Sequence, residues 1–140
     1  MSTIVEREKT VLPFINKKMR TINYENKTYK VFSLNTPYGH EEVICVPREY
    51  YDGRTLAIEM ISVKGTYHES YAVLTVNLDC YSGRRTQSGT RAYVDTNNNE
   101  HWGCLDFIKN NNLGKPLGIQ TQSGFCVYPL YEFNVNEFYA

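Results

Sequence analysis

The side chains that most often carry out chemistry are spread along this chain without a recognised spacing. Three histidines each stand beside an acidic residue, in the stretches GHEE, YHES and NEHW, but none has the HExxH spacing of a zinc protease. A P-loop, a GxSxG turn and a GxGxxG turn are absent as well. The sequence therefore predicts no catalytic residue and no cofactor, and an enzyme is the third of the functions that we consider below.

The spacing of the cysteines and of the acidic residues does not predict a metal site either. No CxxC pair occurs, so a zinc ribbon is not expected. The stretch from Asp95 to Glu100 has oxygen ligands like a calcium loop, but the sixth position of such a loop needs Gly and here is Glu100. We expect four free thiols, several of them buried as small apolar groups: Cys45, Cys80, Cys104 and Cys126.

A loop rich in Gly, Ser and Arg offers a different chemistry, which is contact with a partner. Arginine in the stretch DCYSGRRTQSGTR can bind phosphate or carboxylate groups, although a solvated loop is the simpler interpretation. Nucleic-acid contact would require this loop and the basic stretch INKKMR to share one face, and we do not favour it because 15 Lys and Arg balance 15 Asp and Glu. The candidate binding residues are Arg84, Arg85, Arg91, Tyr67, Tyr81 and Tyr93.

The segment YVDTNNNEHWGCLDFIKNNNLGKP predicts a capped helix over about 98–111. Asn is a poor residue inside a helix and a good one at its ends, so we take Asn97 as the N-cap and Glu100 as the third helical residue, which approximates a capping box. Trp102, Leu105 and Ile108 then share one face that packs on a sheet.

The two ends of this segment carry further structural residues. At the far end Asn111 or Asn112 is expected to adopt the left-handed conformation, and Gly114 and Pro116 stop the helix. At the near end Asp95 stands too early to cap a helix that begins after Asn97. We expect its carboxylate to accept hydrogen bonds from loop amides, for instance those of the QSGF stretch that contains Gly124 and Phe125.

The rest of the chain reads mainly as strands, since it contains 12 Tyr and 6 Phe with many Val and Thr. We predict an α+β fold with one twisted, mainly antiparallel sheet of about five to seven strands. TINYENKTYKVFSL indicates a hairpin, TLAIEMISV a central strand and YAVLTVNL a single strand. Residues 1–19 are expected to form an N-terminal arm, and residues 20–140 a single domain.

No window of the sequence approaches the roughly 20 apolar residues that a membrane-spanning helix needs. The start, MSTIVEREKT, has no long apolar run, so no signal peptide is expected. We therefore predict a cytoplasmic protein without a membrane partner. The oligomeric state is left open.

Four blocks of the sequence, YAVLTVNL, AYVDTNNN, DFIKNNNLGKPLG and QSGFCVYPLYEFNV, resemble a family known as domain of unknown function 4313. The resemblance covers roughly residues 56–135. It implies no reaction, cofactor or catalytic residue. It implies a context instead, an accessory gene of a phage or conjugative element, and such proteins commonly bind and inhibit a host component, including defence nucleases.

Three functions follow from these observations. The first is a non-enzymatic accessory protein that binds a host macromolecule, a host protein above all, as an anti-CRISPR-like defence inhibitor does. The second is a small-ligand or nucleotide-binding module in which QSGFCVYPLY lines a pocket, because its aromatic residues exceed the needs of one strand face. The third is an enzyme, which would require a cleft that brings a His to a Cys or carboxylate.

Overall fold

A computed structural model describes residues 20–51, 55–78 and 90–140 of the chain. The predicted N-terminal arm, residues 1–19, lies outside the described residues, as do Cys80 and the candidate binding residues Tyr81, Arg84 and Arg85. The described residues form two four-stranded antiparallel sheets, a separate two-stranded hairpin and a few short helices. The α+β class with mainly antiparallel strands is therefore confirmed, whereas the prediction of one sheet is wrong.

The first sheet consists, in spatial order, of Phe32–Thr36 (β3), Gly39–Glu49 (β4), Leu56–Ser62 (β5) and Glu69–Val73 (β6). The predicted central strand, TLAIEMISV, is β5, which pairs with a strand along each of its edges. Both of its faces are covered as well, since Met60 belongs to one buried cluster and Ile61 to another. Strand β4 contains Pro47, which is tolerated there because β4 no longer pairs with β3 beyond Val43.

The second sheet is reached where the chain leaves the first one at Leu74. The Leu74 amide donates to the carbonyl of Ile58 in the first sheet, and the Leu74 carbonyl accepts from the amide of Asp95 beside the second. The predicted single strand YAVLTVNL is therefore wrong, since its two halves serve different sheets. In the order β9-β10-β8-β7, the strands are Thr75–Val76 (β7), Arg91–Val94 (β8), Gly114–Ser123 (β9) and Cys126–Phe133 (β10).

The predicted hairpin near the start is present as Thr21–Tyr24 (β1) and Lys27–Lys30 (β2). Its loop residues Glu25 and Asn26 both have positive φ, 50° and 67°, which is the conformation that a two-residue loop needs to match the twist of the strands. A cluster that includes Tyr29, Ile44 and Ile61 fixes the hairpin on one face of the first sheet.

The Asn-rich segment forms three short pieces instead of one helix. Thr96–Asn99 (α1) is followed by a 3-10 turn, Glu100–Trp102, and then by Cys104–Asn110 (α2). The break lies at Gly103, whose φ of 80° cannot continue a right-handed helix. The break rotates α2, so that Phe107 and Ile108 are buried and Leu105, expected on the buried face, is 38% exposed.

The end of α2 follows the expected chemistry. Asn112 has φ 56°, as predicted for the residue after the cap, and the Leu113 amide donates to the carbonyl of Ile108 as in a Schellman motif. Gly114 opens β9, and its role differs from the helix stop that we predicted. A Cβ at Gly114 would lie 2.9 Å from the carbonyl oxygen of Glu132, so a side chain would collide with the neighbouring strand.

The main core lies between the inner faces of the two sheets and is closed by the segment 96–110. Side chains of both sheets, such as Val43, Met60, Val94 and Phe133, join Trp102 in one buried cluster. A smaller cluster around Tyr93 and Leu130 covers the other face of the second sheet. In the described part of the chain, no helix is long and apolar enough to span a membrane.

Candidate functional site

A surface cleft of about 470 Å³ opens where the main core reaches solvent beside the 96–102 segment. Three parts of the chain build it: the β3–β4 turn, the strand β6 and the start of α1. The lining residues used below are Tyr38, Glu41, Tyr71, Asp95, Asn99, His101 and Trp102. We refer to Asp95, Asn99 and Trp102 as the floor, and to Tyr38, Glu41, Tyr71 and His101 as the rim.

The cleft forms where the inward-facing side chains of β3 and β4 change from apolar to polar, next to the turn that joins these two strands. In β3 the buried residues Phe32 and Leu34 are followed two positions later by Thr36, which lines the cleft. In β4 the buried residue Val43 is preceded two positions earlier by Glu41 in the same way. The strand period therefore places a hydroxyl and a carboxylate at the end of a core row.

The floor is a closed hydrogen-bond network centred on Asn99, which is 3% exposed. Its side-chain amide donates to the carbonyl oxygens of Val73, at 2.8 Å, and of Asp95, at 2.9 Å. Its side-chain oxygen accepts from the indole Nε1 of Trp102 at 3.0 Å. Since both donor hydrogens and the acceptor are engaged, the network ties α1 to β6 and fixes the indole ring.

Asp95 is the N-cap of α1, which corrects three predictions about the segment. Its carboxylate accepts from the backbone amide of Asn98 at 3.1 Å and from that residue's side-chain amide at 2.8 Å. Asn97 is exposed and lies inside α1, so it is not the cap, and Glu100 begins the 3-10 turn instead of completing a capping box. The expected bonds from the QSGF amides to Asp95 do not occur among the described residues.

The rim consists of side chains that extend from three different elements. The Thr36 hydroxyl accepts from the backbone amide of Tyr38 at 3.0 Å and so holds the turn that presents this tyrosine. The Tyr38 ring is 83% exposed and meets His101 edge to face, with centroids 5.9 Å apart. On the other side of the cleft, the rings of Tyr71 and Trp102 also meet edge to face, at 5.9 Å.

Negative charge dominates the cleft. Glu41 and Asp95 both line it, and among the described residues no Lys or Arg does. Glu41 accepts from the Ser62 hydroxyl at 3.1 Å through one carboxylate oxygen. Burial and then the charge of Glu41 raise the pKa of the Tyr71 hydroxyl, so this group stays neutral and able to donate at physiological pH.

The predicted binding residues that the structure describes differ in exposure. Tyr67 is 81% exposed in the β5–β6 connection, whereas Tyr93 is buried under the outer face of the second sheet and cannot contact a partner as predicted. Its ring points away from the main core and packs with Tyr128 and Leu130. Arg91 begins β8, and within the described ranges its buried Nε has no hydrogen-bond partner.

The remaining predicted residues lie in the β9–β10 hairpin. Gly124 has φ 62° in the two-residue loop, and Phe125 beside it is fully exposed at the tip. Pro116 pairs with Tyr131 just before a bulge in β9. The stretch QSGFCVYPLY was expected to line a ligand pocket, but none of its residues lines the cleft.

The described cysteines are poor nucleophiles in this setting. Burial raises the pKa of the Cys45 thiol to about 12 and that of Cys104 to about 11, so both remain protonated at neutral pH. Cys126 is half-buried, and all three thiols are free. Within residues 20–51, 55–78 and 90–140, no group of three His, Cys, Asp or Glu side chains could hold a metal ion.

The sequence did not predict any of the four rim residues as a site residue. Tyr38, Glu41 and Tyr71 come from segments that only the fold brings together, so no local spacing points to them. Asn99 could have been found, because Asp95, Asn99 and Trp102 stand at spacings of four and three, which place side chains on one side of a helical turn.

Comparison with known proteins gives one result. A family model described as domain of unknown function (DUF4313) matches residues 46–139, which is more than half of the chain. No curated protein and no solved structure matches the chain.

Proposed function

The chain belongs to the DUF4313 family, and we propose that it is a non-enzymatic binding protein that acts by occupying a second protein. The mobile-element context that the resemblance implies makes a host protein the partner of this proposal. Inhibition of a host defence component is its most specific form. The proposal places the protein in the cytoplasm of the host cell, where such a partner is found.

The observation that carries the proposal is the exposure of large aromatic side chains at three loop tips. Tyr38 and Tyr67 are 83% and 81% exposed, and Phe125 is fully exposed. A Tyr or Phe side chain buries roughly 150–250 Å² when it is covered, so three such rings supply much of the apolar centre of a protein interface. Tyrosine in particular is frequent among the residues that dominate binding energy.

Contacts between elements connect the neighbourhoods of these tips to the parts of the chain that build the cleft. Lys64, which precedes Tyr67 in the same connection, donates to the carbonyl of His40 at 2.7 Å, just after the turn that carries Tyr38. On the other side, the Thr96 hydroxyl of α1 donates to the carbonyl of Val127, beside the Phe125 tip, at 3.4 Å. The cleft lies between these two connections.

The polar groups of the cleft support binding more than catalysis. The Asn99 side chain is an amide, which cannot act as a general base, and both carboxylate oxygens of Asp95 already accept a hydrogen bond from Asn98. The buried thiols described above remain protonated. We therefore expect the solvent-facing side chains to contact the surface of the partner protein.

The test is capture of a partner with the full chain as bait, followed by reconstitution with the purified partner. The triple variant Tyr38→Ala, Tyr67→Ala, Phe125→Ala should fold normally and lose at least about 3 kcal/mol of binding free energy, since three exposed anchors are removed. Tyr51→Ala is the matched control, because Tyr51 is also fully exposed but follows the opposite end of β4.

Two results would contradict the proposal. The first is that no specific partner is recovered from host lysate under several conditions. The second is a partner that the triple variant and the Tyr51 control bind equally well, because the aromatic tips would then have no part in recognition.

A small-ligand module is the second candidate, and the cleft itself favours it. Its volume lies in the range of roughly 300–1,000 Å³ typical of ligand pockets, and aromatic and polar groups line it. A thermal-shift screen of small molecules separates the two functions. Saturable stabilisation by a free ligand would favour this candidate over the first.

A further inference from the structure

We propose that the cleft binds a compact organic cation, a guanidinium or ammonium group, against the aromatic rings of its rim. The proposal rests on the proposed function in one respect: the cation that we expect there is the arginine or lysine side chain of the partner protein. It therefore assigns a chemical class to what enters the cleft.

The aromatic rings of the cleft meet in two edge-to-face pairs. Tyr71 and Trp102 meet at an interplanar angle of 68°, and Tyr38 and His101 at 65°. Trp102 is buried and also meets Phe107, so the rings that can present a face to a ligand are the exposed Tyr38 and the half-buried Tyr71. The face of a tyrosine ring carries the negative part of the ring quadrupole and attracts cations within about 6 Å.

The charge of the cleft also favours a cation. Glu41 and Asp95 line it, and in the described residues no Lys or Arg does. The Ser62 hydroxyl binds only one oxygen of Glu41, so the other can accept from a guanidinium or ammonium group. Asp95 is engaged by Asn98 and contributes charge without a new hydrogen bond.

The same charge disfavours the anionic ligands of the nucleotide alternative. A phosphate group would meet Glu41 and Asp95 without a described Lys or Arg to neutralise it. The lining therefore selects against nucleotides and in favour of cations, although both could fit a cleft of about 470 Å³.

The single tryptophan of the chain allows a direct test, because Trp102 is part of the cleft. We would titrate the full chain with argininamide whose α-amino group is acetylated, and follow the fluorescence of Trp102. The expected result is a saturable change. Citrullinamide acetylated in the same way has nearly the same shape but no positive charge, and it should bind at least about tenfold more weakly. Equal binding of the two compounds would overturn the proposal.

Substitutions in the rim sharpen this titration. Glu41→Gln should weaken argininamide binding about tenfold, whereas Asp106→Asn removes the same charge from an exposed position outside the cleft and should change it less than about twofold. Tyr38→Ala, at an exposed position that the fold does not need, should weaken binding about threefold to tenfold. Unchanged affinity in both rim variants would overturn the proposal even if argininamide binds.

Two further titrations distinguish a protein side chain from a free cation as the ligand. They also test this proposal separately from the proposed function. A blocked tripeptide, acetyl-Gly-Arg-Gly-amide, tests a protein side chain, and agmatine tests a free metabolite-like cation. Binding of the tripeptide supports the protein source, and binding of agmatine alone supports a free cation. Because no partner protein is needed, a failed partner capture leaves this result standing, and absence of any cation binding overturns this proposal alone.

Discussion

Asn99 in the floor of the cleft and Glu41 in its rim are both polar side chains at the border of the main core, but their surroundings differ. Asn99 is 3% exposed, and its side chain bonds to three neighbours in the same molecule. Glu41 is half-buried and accepts one hydrogen bond, from Ser62. The polar groups of the floor therefore bond within the fold, whereas Glu41 in the rim can still accept a hydrogen bond from a ligand.

This difference gives the two regions opposite expected responses to substitution. Removing a floor group leaves buried partners without hydrogen bonds, which costs stability. Removing an exposed rim side chain such as Tyr38 uncovers no buried polar group, so the main expected change is in what the cleft can bind. The predictions below test this separation, beginning with the largest expected effect.

Asn99→Ala should lower the free energy of unfolding by about 2–4 kcal/mol, because it leaves the Trp102 Nε1 buried without a partner and removes the bond to the Val73 carbonyl. Urea unfolding measures this, with the slope m expected to stay constant. Asn97→Ala is the matched control, since Asn97 is the same residue in the same helix but exposed, and its change should stay within about 0.5 kcal/mol. A larger loss at Asn97 would restore that residue as the cap.

Asp95→Ala should lower the free energy of unfolding by about 1–2 kcal/mol, because α1 loses its N-cap. Asp95→Asn keeps an acceptor for the Asn98 amide and should recover more than half of that loss. The same unfolding experiment compares the two variants. If Asp95→Asn were as unstable as Asp95→Ala, the charge of Asp95 would matter more for stability than its hydrogen bond to the Asn98 amide. The cap would then not explain the choice of Asp at this position.

Local signals in the sequence were enough to predict the first hairpin and the end of α2. The residues Glu25-Asn26 can adopt positive φ, and Asn112 can adopt the left-handed conformation, so neighbouring residues alone specify both features. The central position of β5 was also predictable, since apolar residues on both faces of a strand require cover on both sides.

Features that depend on distant contacts were not predictable in this way. Asp95 and Asn97 are both good caps, and the choice between them is stabilised by the bond from Asn99 to the Val73 carbonyl, in a strand far away in sequence. The alternation through YAVLTVNL continues unchanged across Leu74, so nothing in it reveals the change of sheet. The cleft combines residues from three separate segments, and only the fold brings them together.

Tyr38→Ala is expected to have the smallest effect on stability, within about 0.5 kcal/mol, because the ring is 83% exposed and contacts the rim residue His101. The backbone turn beneath it is held by the Thr36 hydroxyl, which the substitution does not alter. Urea unfolding of this variant, set beside Asn99→Ala, measures the contrast between rim and floor directly. A loss above about 1 kcal/mol would mean that the rim also supports the fold, and the separation between the two regions would then fail. A loss near zero makes any weakening of argininamide binding in the same variant an effect on recognition alone, since the folded population is unchanged.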